Sequence, residues 1–176
     1  GEKLLIFSES AETVGYLYDA LQQDYSGRVL AFTGGGGRYG NASLGMEPAR
    51  RMVEANFDPR SRNPKDDVRF LVTTDVLAEG INLHRAHMVV NYDLPWNPTR
   101  VLQRGGRVNR VGTVHPRIHI FNFFPTSRSD QELGLEANIV SKLQAFHDML
   151  GEDAKYLSEL EEVTQHDLRG QVLYRI

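Results

Sequence analysis

Short apolar runs alternate along this chain with helix-length segments. That pattern predicts an α/β domain with a mostly parallel sheet flanked by helices, followed by a helical C-terminal extension. Three observations carry the prediction. Five β-rich runs recur with segments between them long enough to cross back over a sheet. Several of these runs, Leu4-Leu5-Ile6-Phe7 and Phe70-Leu71-Val72 among them, are apolar on both faces, as strands covered on both sides must be. With 176 residues and 40% hydrophobic content, the chain can bury one full core.

The strands are expected at Lys3–Ser8, Arg28–Thr33, Val68–Thr74, His87–Tyr92 and Arg117–Phe124. Helices are expected at Ala11–Gln23, with Ser10 as cap, and at Pro48–Phe57 and Pro98–Arg110, where each proline suits the first turn. Two loops are expected, the glycine-rich Gly34–Glu47, of which Gly34–Gly45 reads as a mobile surface loop, and the polar Asp58–Asp67. Beyond the last strand, Leu133, Leu135, Ile139, Leu143, Phe146 and Leu150 form a roughly helical apolar stripe within Ser129–Leu150. A shorter acidic helix is expected to end near Gln165. The division is a lobe over 1–126 and an extension over 127–176.

Composition excludes several classes. There is no cysteine, hence no disulfide framework and no cysteine-based metal site, which fits a reducing cytoplasm. No apolar run approaches the ~20 residues of a membrane-spanning helix. Gly1-Glu2-Lys3 leads directly into an apolar strand without a signal-peptide core, as expected of a piece of a longer protein. Net charge is −3, yet Arg100, Arg104, Arg107, Arg110 and Arg117 lie in a stretch with no Asp or Glu. Local sign of this kind matters more for anion binding than the total does.

The sharpest segment is Gln103-Arg104-Gly105-Gly106-Arg107-Val108-Asn109-Arg110-Val111-Gly112. On a continuous helix, positions 103, 107 and 110 would share one face, with Arg100 and Arg104 beside them. Guanidiniums that converge without a carboxylate in the same segment repel one another, and an external anion would relieve the cost. Arginine suits that anion when it is a phosphate, because its planar fork holds two oxygens at once. Two glycines inside a helix cost ~1 kcal/mol each and call for a reason such as close backbone approach. The plainer reading, an arginine-rich solvated helix, leaves those glycines unexplained.

This string resembles motif VI of superfamily-two helicases, in the form Gln-Arg-x-Gly-Arg-x-x-Arg. With Val111-Gly112 it is most similar to the chromatin-remodeller-type branch and its bacterial relatives. Leu4–Ser8 resembles motif IV, and Leu71-Val72-Thr73-Thr74-Asp75-Val76-Leu77-Ala78-Glu79-Gly80-Ile81-Asn82-Leu83 resembles motif V. The strand and turn Val89–Pro98 are similar to what such proteins carry between motifs V and VI. The resemblance spans about Lys3 to Pro125 and implies a RecA-like lobe, the second of two that sandwich ATP. It implies Arg107 and Arg110 as arginine fingers on the γ-phosphate, and Gln103 beside it or across the lobe interface. Gly80, Asn82 and Asp75 would contact the nucleotide, although many relatives have Asp where Asn82 stands. Thr73, Thr74 and Ser8 would meet DNA or RNA, through contacts that position a strand without reading its sequence; apart from the motifs, Arg38 on the glycine-rich loop is also expected near the nucleic acid. ATP and Mg²⁺ are the implied cofactors, with the Mg²⁺ ligands and phosphate loop on an N-terminal lobe of the same polypeptide.

Thr74 and Asp75 are equally suited to capping a helix after a strand. Gly35-x-Gly37-x-x-Gly40 follows a strand and formally matches the dinucleotide fingerprint, but no helix opens directly after it and the expected acidic residue is missing. No Gly-Lys-Ser/Thr occurs. The histidines lack ligand spacing, and Trp96 reads as a packed turn anchor rather than a base-stacking platform. Two further classes stay open: a non-catalytic RecA-like lobe binding phosphate or protein, and a dinucleotide-binding oxidoreductase domain on Gly35–Gly40.

Overall fold

The computed structural model describes residues 2–78, 81–93, 95, 98–108, 115, 117–123 and the backbone of 171–175. Strands β1 (Leu4–Phe7), β2 (Val29–Thr33), β5 (Phe70–Thr73), β6 (Met88–Asn91) and β7 (His119–Phe123) correspond to the five expected runs. They pair in the order β2-β5-β1-β6-β7, every neighbour parallel. Helices α1 (Ala11–Asp24), α2 (Met46–Phe57) and α3 (Pro98–Gly106) lie in the gaps.

The glycine-rich segment departs from expectation. It forms a hairpin, β3 (Gly36–Tyr39) and β4 (Ala42–Leu44), laid antiparallel on the outer edge of β2. Gly36 has φ +114° at the entry and Gly40 has φ +56° in the turn, conformations that favour glycine. At Gly37 a Cβ would stand 2.6 Å from Ala49 Cβ and 2.8 Å from the Ala31 carbonyl, so only glycine lets α2 approach. The dinucleotide reading of this segment fails on the same geometry: its glycines build strand-strand and strand-helix contacts, not a strand-to-helix phosphate turn. At the opposite edge, β8 (Gln171–Arg175) pairs antiparallel with β7, a strand that sequence patterning does not announce. The helices expected within 129–165 lie outside the described residues, as does Trp96.

Strand alternation sends side chains to two cores. On one face Ile6, Val29, Ala31 and Val72 pack with Val14 and Tyr18 of α1. On the other, Leu5, Phe7, Leu30, Phe32, Leu71 and Val89 pack with Ala49, Val53 and Phe57 of α2. Ile81, Leu83, Ala86 and Val108 join this second core, so the chain after β5 and the turn after α3 both lie on the α2 face.

Local chemistry fixes the ends. Ser10 Oγ accepts the Thr13 N–H at 3.3 Å and caps α1 as expected. Lys3 is buried beneath the loop after α2, its Nζ donating to the Val68 carbonyl at 2.7 Å and pairing with Asp66 at 2.8 Å. Burial presses the Lys3 ammonium below its ordinary pKa, while the Lys3 hydrogen bond holds Asp66 at about 2. No helix among the described residues is long and apolar enough to cross a membrane.

Candidate nucleotide and nucleic-acid site

The carboxyl ends of β1, β5 and β6 bring together the residues after each strand. Ser8 follows β1, Thr74 and Asp75 follow β5, and Tyr92 and Asp93 follow β6. Backbone ties hold them in step: the Ser8 N–H donates to the Thr73 carbonyl at 3.0 Å, and the Tyr92 N–H to the Phe7 carbonyl at 2.9 Å. Crevices outside such strand ends are where open α/β sheets bind ligands.

Arg104 stands at the centre of this edge. Its side chain is 2% exposed. Nε donates to Asp75 Oδ1 at 2.6 Å and Nη2 to Asp75 Oδ2 at 2.8 Å, a two-pronged pair. Nη1 donates to Asn91 Oδ1 at 3.0 Å, and the guanidinium lies 5.2 Å from the centre of the Phe7 ring. Asn91 in turn donates to Asn122 Oδ1 at 2.6 Å, extending a buried polar row across β6 and β7. Arg100 reaches Glu9 Oε1 at 2.8 Å and Asp75 Oδ2 at 3.6 Å. Part of the arginine cluster is therefore neutralised from within the fold, by carboxylates distant in sequence, where the sequence alone points to an external anion.

The other predicted residues fall in three places. Thr73 is buried and donates its hydroxyl to the Thr74 carbonyl at 2.9 Å; Thr74 is half-buried. Ser8 is buried and its hydroxyl donates to Asp93, whose second oxygen accepts the Glu9 N–H at 2.7 Å. Asn82 lies on the α2 face of the sheet, where its Nδ2 donates to Asp58 Oδ2 at 3.3 Å. Arg38 is mid-strand on β3, away from the strand ends, forked on Asp19 at 2.6 and 3.3 Å and stacked on Tyr18. Gly80 and Arg110 lie outside the described residues.

The motif VI segment is not one continuous helix. α3 ends at Gly106, and the Arg107 and Val108 N–H groups bond back to the Arg104 and Gly105 carbonyls at 3.3 and 3.0 Å in a tighter turn. Gln103 is exposed, Gly105 buried and Arg107 half-buried. Gly105 is buried, whereas a Cβ at Gly106 would meet nothing within 4 Å. Val108 anchors the turn in the α2-face core. Sequence reasoning missed Asp93, Asn91 and Asp58 as members of these networks. A polar Asn91 closing the apolar run Met88-Val89-Val90 is the signal that marks a partnered buried amide.

Residues 1–112 match the helicase conserved C-terminal domain family. The chain is 30% identical over 173 residues to the ATP-dependent helicase YqhH of Bacillus subtilis (strain 168), covering 98% of this chain and 28% of that protein. It is 50% identical over 76 residues to eukaryotic initiation factor 4A-8 of Nicotiana tabacum, covering 38% of this chain and 18% of that one. The C-terminal part of the Fun30 ATPase domain shares the fold, with a TM-score of 0.57 at 22% identity over 78% of this chain and 39% of that structure. Motif order, parallel sheet and family match agree: the chain belongs to the helicase conserved C-terminal domain family and is the second, RecA-like lobe of a superfamily-two helicase.

Proposed function

We propose that this lobe serves an ATP-driven helicase or translocase on DNA or RNA. It would deliver arginine fingers to ATP held by a first lobe and supply half of the nucleic-acid track. One observation supports the reading above the others. The helix bearing Gln103 and the turn bearing Thr74 and Asp75 are joined by the buried Arg104 pair, which would couple a strand-contacting turn to a phosphate-contacting one. In this reading Ser8, Thr73 and Thr74 hold the sugar-phosphate backbone, and Arg107 with Arg110 faces the γ-phosphate. Gln103, exposed on α3, is assigned to the nucleotide or the lobe interface, and Asn82 and Gly80 to the nucleotide.

The donor set fits only part of an ATP site. Guanidiniums are present, but the sequence has no Gly-Lys-Ser/Thr, and the described residues hold no group of three metal-donating side chains. The phosphate loop and Mg²⁺ ligands are assigned to the first lobe, as the family resemblance implies. Bound there, ATP with Mg²⁺ would supply the transferable phosphoryl group. What this chain adds is preplaced positive charge where negative charge develops, worth ~10³–10⁵ in rate for such a finger.

A second reading is a non-catalytic lobe, favoured by the internal neutralisation of Arg100 and Arg104. Arg38, clamped on Asp19, stands as a track residue only if nucleic acid displaces that pair. The two readings part on one experiment. Nucleic-acid-stimulated, Mg-dependent ATPase is expected from the full-length parent and negligible turnover from residues 1–176 alone. Appreciable ATPase from the lobe alone contradicts the division of labour, and none from the parent supports the non-catalytic reading.

A further inference from the structure

We infer that Arg104 is the positioning residue for Arg107, and that Asp75 serves this pair instead of contacting nucleotide. The inference rests on the function proposed above; it gives Asp75 a role other than the one the family resemblance implies, and Arg104 one that the resemblance leaves unassigned.

Both oxygens of Asp75 are taken by one guanidinium, at 2.6 and 2.8 Å, and Arg100 approaches the second oxygen at 3.6 Å. A carboxylate so engaged has little left to offer a ribose hydroxyl. A phosphate, moreover, would be repelled by that negative charge. Arg104 is equally committed. Four of its five N–H bonds are directed by Asp75, Asn91 and the Asp93 carbonyl at 3.4 Å, and the Phe7 ring lies against the guanidinium. With 2% of the side chain exposed, it cannot turn outward to an anion.

What this arrangement does follows from the chain geometry. The Arg107 N–H donates to the Arg104 carbonyl at 3.3 Å, and Val108 is buried one residue on. The backbone from 104 to 108 is thus pinned at both ends, by the Arg104 fork on one side and by Val108 in the core on the other. Arg107 lies between these pins, half-buried. Losing the fork frees one end of the turn, and small displacements of a charge-stabilising group cost large factors in rate. Lysine cannot replace Arg104, because one ammonium cannot make two parallel bonds to Asp75 and a third to Asn91.

The test uses the full-length parent and compares Arg104→Lys, Asp75→Asn and the double variant. Each single change is expected to lower nucleic-acid-saturated kcat by ~10-fold or more while KM for ATP stays within ~3-fold, the pattern of a lost transition-state contact. The double variant is expected to fall no further than the worse single one, since both break the same link. A readout independent of turnover is the ¹⁵N spectrum of residues 1–176. The Arg104 Nε–H should exchange slowly in the wild type, and Asp75→Asn should shift the Arg107 amide. A raised KM with kcat kept would make Asp75 or Arg104 a nucleotide ligand and overturn the inference. So would additive losses, or a lowered Tm with turnover per folded molecule unchanged. An inactive wild-type parent would sink the proposed function itself; an unshifted Arg107 amide would sink only this inference.

Discussion

The two sides of the sheet's carboxyl edge are built from opposite materials. On the β2 side the chain turns on bare glycine: Gly36 at positive φ, then Gly37 pressed against Ala49 of α2. On the β1–β6 side it turns on charge, with Arg104, Asp75, Asn91, Ser8 and Asp93 bonded in a partly buried network. The glycines work by having nothing there, letting backbones meet, while the arginine works by filling a polar cavity with directed donors. Sequence makes both stretches conspicuous for the same reason, an unusual residue repeated. Only one of them is charged, and much of that charge is neutralised within the fold.

The largest effect expected from this contrast is on the glycine side. Gly37→Val places a branched side chain where even a Cβ stands 2.6 Å from Ala49, and a loss of about 3 kcal/mol in denaturant unfolding is expected. A loss below about 1 kcal/mol would mean that the hairpin yields easily and that α2 does not depend on it. On the charged side, Arg104→Met leaves Asp75 with Arg100 alone, and because Asp75 is a quarter exposed the expected cost is about 2 kcal/mol. The paired change Asp75→Asn with Arg104→Met should recover part of that stability without recovering activity, because the buried guanidinium and its charged partner leave together. If stability and activity return together, the network is scaffold and nothing more.

A smaller effect belongs to the opposite, amino end of the strands. His87 packs against His115 with ring centres 4.4 Å apart, and burial, then the neighbouring His115, holds its pKa below the usual 6.5. In the unfolded chain it takes up a proton at a higher pH than in the folded one. Stability is therefore expected to be full above about pH 6.5 and to decline as pH falls below it, no more steeply than about 1.4 kcal/mol per pH unit. Urea midpoints at about pH 7.5 and 5.5 would show this, and His87→Gln should flatten the difference. The smallest effect expected is from Arg38→Ala. It removes an exposed pair with Asp19 and a stack on Tyr18, together within about 1 kcal/mol. Unchanged nucleic-acid affinity in that variant would take Arg38 out of the track.

Most of the sheet was legible because its inner strands are apolar on both faces, and Leu4–Phe7 or Phe70–Thr73 has no stable place except between two layers. The hairpin was not. Gly-Gly-Arg-Tyr has poor strand propensity, and it becomes a strand because the β2 edge offers partners and α2 needs a smooth surface. Motif VI was legible as chemistry but not as geometry. Arg104 and Asp75 lie 29 positions apart, so neither segment reveals that one neutralises the other. Helix α3 stops at Gly106, short of the expected Arg110, because two successive glycines weaken its last turn and Val108 finds the core.

The central claim, that this lobe's arginines complete an ATP site housed elsewhere, is tested most directly by nucleic-acid-stimulated ATPase on the full-length parent. Wild type would be compared with Arg107→Ala and Arg110→Ala, and ATP and nucleic-acid binding measured alongside. The account predicts nearly intact binding and turnover lowered ~10³-fold or more in each variant. Unchanged turnover in both variants would contradict it and leave the lobe as a binding module.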